Sequence, residues 1–374
     1  MTYRVAVVGG GIIAEEHLAA LTSMVGNGAW EEEGEKAGAD AADQGGDSAA
    51  DAEDEARSDR GAAPSDGIVP EVGRRGIRAV AVADLVAERA KALAERYGVA
   101  AYTDYMQMIV RERPDIAIIT LPHYLHKEAA LFCLAQGCHV LLEKPMALDV
   151  EECDEIIAAA GRAGTALLVG HTQHYIAENL AAKRIVDAGI LGELVMIRDV
   201  RNVHYFSERR PAWFFQQALA GGGIMMNLGS HSIDKIVWFA GSAVSQVKAA
   251  VSYHGDRGDI EGSGMALLQL ENGFPASLAL SGYPGCARNE TELVFTEGML
   301  RLETGKGLWI SRGGDYERVQ TEPQAPPFVL QLRHLVDCIE GRRDASASLA
   351  HSRHAVATVR AIYASHASGR EETV

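Results

Sequence analysis

The most constraining feature lies within the first 24 residues. Residues 3–8 (YRVAVV) form a short β-branched run of the kind that makes a buried strand. Gly9-Gly10-Gly11-Ile12-Ile13-Ala14 follows, and then a helical stretch to about Met24. A strand that turns through glycines straight into a helix is a demanding arrangement. Gly9 permits the tight turn, Gly11 leaves the backbone open to close approach, and the helix N-terminus turns free N–H groups toward the gap. Gly9-x-Gly11-x-x-Ala14 matches the dinucleotide-binding fingerprint with Ala in its third place.

That fingerprint asks for an acid about 20 residues further on. Asp84 stands 75 residues after Gly9. The intervening segment explains the gap. Residues 26–76 carry 14 acidic and 5 basic side chains, a net −9 out of −16 for the whole 374-residue chain. They are rich in Gly, Ala, Asp and Glu, and Trp30 is their only aromatic. Such a composition buries too little apolar surface to offset its ordering entropy, so it is expected to be a mobile insertion, with at most a weak helix near 50–58. Without those 51 residues Asp84 lies 24 after Gly9, close to the expected spacing. Its carboxylate ends a second strand, IRAVAVAD (77–84), where it can accept from ribose hydroxyls. A carboxylate there repels a 2′-phosphate and Leu85 brings no compensating charge, so NAD is favoured over NADP.

Beyond the insertion, strands and helices alternate. Helices are expected over 86–97, 102–112, 126–136 and 150–162, with strands over 115–120, 139–144 and 166–170. That alternation predicts an α/β, doubly wound parallel sheet. After about 171 the texture changes. A helix at 176–188 precedes strand candidates at 193–205, 243–254, 264–271, 274–283, 291–297 and 299–311, with a hairpin signal at Glu271-Asn272-Gly273. Helices are expected near 211–220, 230–240, 327–341 and 351–367. The expected division is therefore a dinucleotide-binding domain over 1–146, carrying the insertion, and an α+β substrate and oligomerisation domain with a mostly antiparallel open sheet over 147–374. The C-terminal helices are free to pack back on the first domain.

Composition excludes several classes. A hydrophobic share of 47% excludes global disorder. The acidic balance argues against nucleic-acid binding. No run reaches the ~18–20 apolar residues of a membrane span, and the N-terminus lacks the pattern of a signal peptide. Five cysteines without a CxxC pair fit a reducing cytoplasm.

Two clusters carry chemistry. Glu143-Lys144-Pro145 follows a buried strand at the edge where such sheets bind ligands, and a Lys there can donate to a substrate oxygen. The second is Gly221-Gly222-Gly223-Ile224-Met225-Met226-Asn227-Leu228-Gly229-Ser230-His231-Ser232-Ile233-Asp234, in which Asn227, His231 and Asp234 stand at helical spacing. His171, His174, His204 and His231 are too poor in carboxylate partners at ligand spacing to argue for a metal, so none is expected. His174, Asp234 and the aromatic Tyr205 and Trp213 are candidate substrate contacts.

These motifs together resemble the Gfo/Idh/MocA-type oxidoreductases, the family of inositol dehydrogenase and glucose–fructose oxidoreductase. The resemblance covers nearly the whole chain outside 26–76. It rests on the Gly-rich turn with His17 after it, Ala83-Asp84, Leu121-Pro122-x-x-x-His126, Glu143-Lys144-Pro145 and Gly189-Ile190-Leu191-Gly192-Glu193. The Gly-rich stretch through His231 and Asp234 and the ending Ala361-Ile362-Tyr363-x-Ser365-x-x-x-Gly369-Arg370 complete it. It implies a Rossmann domain, an open-sheet domain and a substrate between them, commonly a sugar, cyclitol or related polyol. The family lysine matches Lys144, whose peptide to Pro145 is often cis, and the family's catalytic histidine matches His231. The candidate catalytic set is Lys144, His231 and Asn227. The candidate cofactor contacts are Gly9, Gly11, Ile12, Ile13, Asp84, Leu121, Pro122, His126, Glu143 and Lys144. Two departures stand out: Asn227 replaces a frequent Asp, and His174 replaces a frequent Arg. The outer sheet face implies a homodimer or homotetramer.

The expected activity is hydride transfer between NAD(P) and a carbinol or carbonyl. Two other readings stay open: a non-catalytic NAD(P)-sensing regulatory protein, and an NAD-dependent glycosidase that works through transient oxidation.

Overall fold

The computed structural model describes residues 2–26 and 76–374. The expected insertion falls almost wholly outside the described residues. The chain begins β1 (Thr2–Val8), α1 (Ile12–Gly26), β2 (Gly76–Ala83), α2 (Ala87–Tyr97), β3 (Ala100–Tyr102) and α3 (Tyr105–Glu112). It continues β4 (Ile116–Ile119), α4 (His126–Ala135), β5 (His139–Leu142), α5 (Val150–Ala163) and β6 (Leu167–Val169). These six strands form one sheet in the order β3-β2-β1-β4-β5-β6, with every pair parallel.

Parallel strands are covered on both faces, and their side chains alternate accordingly. Ala6, Val8, Ala117 and Ile119 join α3, α4 and α5 in one core cluster. Val5, Val7, Ile116 and Ile118 join α1 and the late helix α9 (Pro327–Ile339) in another. The chain reverses its winding between β1 and β4. The carboxyl ends of those strands therefore open a crevice, where Gly9 and Thr120 lie side by side.

The rest of the chain is α6 (Ala177–Asp187), β7 (Leu194–Asn202), α7 (Gln217–Ala220), α8 (Ser230–Ala240), β8 (Val244–Ser252), β9 (Ser263–Leu270) and β10 (Pro275–Ser281). Then come β11 (Arg288–Phe295), β12 (Gly298–Glu303), β13 (Gly307–Ser311), β14 (Glu317–Val319), α9, α10 (Ser346–Ser368) and β15 (Glu372–Thr373). Nine strands form the second sheet in the order β14-β13-β12-β11-β7-β10-β9-β8-β15. Only β7 and β10 run parallel, so the sheet is mostly antiparallel. Its inner face packs on α8 and α10.

Local detail departs from the sequence reading in four places. Tyr102 ends the short strand β3 rather than starting a helix; α3 begins later because Asp104 caps it, accepting from the N–H of Met106 and Gln107. The expected strand over 299–311 is two strands, β12 and β13, folded back on each other. The expected helix over 211–220 is a 3₁₀ turn at Ala212–Phe215 followed by the single turn α7. Met225–Gly229 is a π-turn, which the pattern did not signal. In addition, β6 lies beyond the expected boundary at 146, so the first sheet draws on chain assigned there to the second domain.

Candidate functional site

The crevice is built first from the turn after β1. Gly9 has φ +103°, and an added Cβ would sit 2.8 Å from the Thr120 carbonyl oxygen. Only glycine fits there. Gly10 donates its N–H to Asp84 Oδ2 at 2.8 Å, which fixes the turn against the end of β2. Gly11 has nothing within 4 Å of where a Cβ would stand, so the backbone is open on that side. Exposed apolar side chains flank this opening: Ile12 is 78% and Leu85 86% accessible, and Ile13 and Val86 are also exposed. An uncovered apolar rim around free helix-terminal N–H groups suits a flat ring system with a diphosphate.

Asp84 also accepts from the Val86 N–H at 2.8 Å. Arg89 stands 3.4 Å from both of its carboxylate oxygens. The sequence reading weighed only Leu85, which brings no compensating charge. The first turn of α2 brings Arg89 back over Asp84, which corrects that part of the argument.

Glu143 and Lys144 follow β5. Glu143 is buried and its Oε1 lies 3.0 Å from His17 Nε2, while the His17 ring meets Phe328 edge-on at 4.8 Å. Burial pushes the Glu143 carboxyl up, but the His17 hydrogen bond and the charge of Lys144 outweigh it and hold it below its ordinary value. The Lys144–Pro145 peptide is cis. Lys144 Nζ donates to Asn227 Oδ1 at 2.9 Å and to the Asn227 carbonyl at 3.1 Å. Burial lowers its pKa to about 8, with the cations of Arg201 and Arg210 adding to the effect. His126 is buried with Nδ1 2.9 Å from the Pro145 carbonyl and Nε2 2.8 Å from that of Leu121. It therefore ties the two loops beside the crevice together, and Pro122 opens the turn between them.

The Gly-rich stretch crosses from the opposite side. A Cβ on Gly223 would be 2.0 Å from the Glu261 carbonyl oxygen, and one on Gly222 2.0 Å from the Tyr363 hydroxyl. The buried Glu261 carboxylate accepts from the N–H of Gly223 at 2.7 Å and of Met225 at 2.8 Å, and from the Tyr363 hydroxyl at 2.9 Å. These bonds anchor the entry to the π-turn that carries Asn227 and leads into α8 with His231.

His231 is buried and its Nδ1 finds no hydrogen-bond partner among the described residues. Burial, reinforced by Lys144 and Arg201, holds its pKa well below the usual histidine value. One turn along α8, Asp234 is buried with Oδ2 2.8 Å from His174 Nε2 and 3.5 Å from His171 Nδ1. The shorter contact has ion-pair distance without hydrogen-bond alignment. The His174 ring stacks on Trp238 at 4.5 Å. His171 lies 6.4 Å from both His174 and His231, ring to ring.

Tyr205 is fully buried and reaches the cluster through its hydroxyl, which Asn227 Nδ2 approaches to 3.4 Å. Trp213 is half-buried, stacked on Phe214 at 3.7 Å and edge-on to His123 at 4.8 Å. Sequence reasoning missed Arg201, Arg210, Glu261 and the orienting part of Tyr363. Strand alternation was the available signal for Arg201, which shares a face of β7 with Ile197 and Asp199. Among the described residues, no group of three His, Cys, Asp or Glu is placed to hold a metal, and no helix is long and apolar enough to cross a membrane.

The model for an oxidoreductase family with an NAD-binding Rossmann fold matches residues 64–171, and the model for the GFO/IDH/MocA C-terminal domain matches 179–301. The chain belongs to the Gfo/Idh/MocA oxidoreductase family. Inositol 2-dehydrogenase 2 of Saccharopolyspora erythraea is 30% identical over 261 residues, covering 68% of this chain and 72% of that one. A 1-carboxy-3-chloro-3,4-dihydroxycyclohexa-1,5-diene dehydrogenase of Comamonas testosteroni is 33% identical over 174 residues, covering 46% of this chain and 44% of that one. The chain spans about half the length of several curated relatives it matches. Levoglucosan dehydrogenase in complex with NADH shares the fold with a TM-score of 0.81 at 18% identity, over 100% of this chain and 99% of that one. The family model for the first domain begins beyond β1, so the Gly9 turn that opens the crevice lies outside it.

Proposed function

We propose that this family member is an NAD-dependent dehydrogenase or reductase acting on a carbinol or carbonyl of a sugar, cyclitol or related polyol. The observation that carries the reading is the Lys144–Asn227 bond, with His231 four residues beyond Asn227 and within reach of the Lys144 charge, at the carboxyl edge of the sheet that also carries Gly9 and Asp84. Gly9, Gly11, Ile12, Ile13 and Asp84 would hold the cofactor, with Leu121, Pro122, His126 and Glu143 shaping its reactive end. When bound, NAD supplies the two-electron acceptor for a hydrogen on the substrate carbon. The chain supplies the rest. His231, kept neutral by its surroundings, accepts the hydroxyl proton. Lys144 donates a hydrogen bond to the same oxygen and stabilises its developing negative charge. Asn227 holds Lys144 in place without exchanging a proton itself. Reduction runs these transfers backward.

The dehydrogenase names of the relatives support this reading, as does the NADH complex of the structural neighbour. The working division is a cofactor unit on the six-stranded sheet and a substrate unit on the nine-stranded sheet. On the outer face of the latter, Met265 is 68% and Leu267 56% exposed, and we assign that face to self-association. The test is NADH formation with a panel of polyols, sugars and uronates, compared with Lys144→Met under the same conditions.

A further inference from the structure

The cleft holds more positive charge than the reaction above requires. Arg201 shares the inner face of β7 with Ile197 and Asp199, and that face packs toward α8. Asp199 is the carboxylate whose charge acts on it, and Arg201 has to share it. Asp199 Oδ2 is 3.0 Å from Lys235 Nζ and accepts from Thr291 Oγ1 at 2.7 Å, so one carboxylate serves two cations. Among the described residues, the Arg201 guanidinium forms no hydrogen bond or ion pair. Burial nevertheless depresses its pKa, and its charge bears on both Lys144 and His231.

Arg210 is a second such group. Its Nε donates to the Tyr205 carbonyl at 2.8 Å, and its guanidinium lies 4.0 Å over the Tyr205 ring and 4.8 Å from that of Phe214. These contacts hold it flat beside the cleft without giving it a counter-charge. None of the other nearby carboxylates among the described residues forms an ion pair with Arg201 or Arg210. Glu143 lies on His17 and beside Lys144, Asp234 lies at ion-pair distance from His174, and Glu261 accepts from two backbone N–H groups and Tyr363. Asn227 meets Lys144 with a neutral oxygen, where an aspartate would have cancelled a charge.

Among the described residues, Arg201 shares its one carboxylate with Lys235 and Arg210 has none, and two half-buried guanidiniums so placed are costly unless a ligand brings an anion. We propose that the substrate is an acid of the sugar or cyclitol class, its carboxylate held between Arg201 and Arg210 while Lys144 and His231 face the reacting carbinol. This rests on the dehydrogenase reading and narrows its substrate class. The planar guanidinium matches a carboxylate in two parallel hydrogen bonds, which a hydroxyl cannot accept in the same way.

The experiment measures binding to the full chain saturated with NADH, read by nicotinamide fluorescence. Matched pairs are glucuronate against glucose and galacturonate against galactose. The expected result is that at least one acid binds ten-fold or more tightly than its neutral partner, with the gain shrinking as salt is raised. Arg201→Gln should remove most of that gain and Arg201→Lys should keep part of it. Arg210→Gln gives a second readout at a separate position. Acids that bind no better than neutral sugars, or an Arg201→Gln effect equal on both members of a pair, would overturn the inference. Because binding is read without turnover, tight acid binding with no hydride transfer would instead count against the dehydrogenase reading alone.

Discussion

Lys144 Nζ and Asn227 Oδ1 are 2.9 Å apart, although 83 residues separate them in the chain. This bond joins the carboxyl end of the parallel sheet to the π-turn of the second half. It positions a cation whose proton is loosely held beside a neutral histidine.

Removing that cation tests its role. Lys144→Met is expected to lower kcat by about 10²–10⁴-fold, the usual worth of a positioned proton donor or charge stabiliser. NADH affinity should change by only a few fold. Steady-state rates and a fluorescence titration check the two halves separately.

The pH profile follows from the same surroundings. Burial brings Lys144 to about 8, so its ammonium is lost as pH rises through that value. His231 is held well below its ordinary value, so it stays a neutral base until the medium is more acidic than histidine normally requires. For oxidation, kcat/KM should be flat through neutrality, fall above about pH 8, and show its acid limb below the usual histidine range. An acid limb at or above the ordinary histidine value would assign the base to another group.

Glu261 should matter for stability before it matters for chemistry. Glu261→Ala strands the buried N–H groups of Gly223 and Met225, at about 1–3 kcal/mol each. Denaturant unfolding should show a loss of a few kcal/mol by that principle, and the surviving fold should lose kcat because the π-turn no longer holds Asn227.

The turn after β1 gives a fourth test. Gly9→Ala puts a Cβ 2.8 Å from the Thr120 carbonyl oxygen at a φ of +103°. Strain of about 1–3 kcal/mol is expected, with a loss of NAD affinity that exceeds any change in substrate affinity. Isothermal titration with NAD against a thermal melt separates the two.

What the sequence made legible is what local chemistry determines. The Gly9 turn, the acid at Asp84 and the alternation of strands and helices each depend on neighbours within a few residues. Lys144 was singled out because it follows a buried strand and His231 because it stands at helical spacing from Asn227 and Asp234, and the roles proposed for both came with the family resemblance. The charge balance of the cleft was not readable in this way. Arg201 belongs to it only because β7 lies in mid-sheet between β11 and β10, and Arg89 reaches Asp84 only because α2 starts where it does. The π-turn depends on Glu261, 36 residues beyond the N–H of Met225 that it accepts from. The short β3 and β15 are paired through long-range register rather than through their own propensity. His174 was singled out as a departure, and the structure shows its partner, Asp234, one α-helical turn after His231.

One measurement bears on the central claim most directly. The purified chain is given NAD and a panel of neutral polyols, sugars and their acids, and absorbance at the reduced-nicotinamide band is followed for the natural chain and for Lys144→Met and His231→Ala. The expected result is NADH formation with at least one sugar or cyclitol, lost in both variants while NAD still binds. NAD binding without turnover on any member of the panel, or turnover that survives both substitutions, would contradict it.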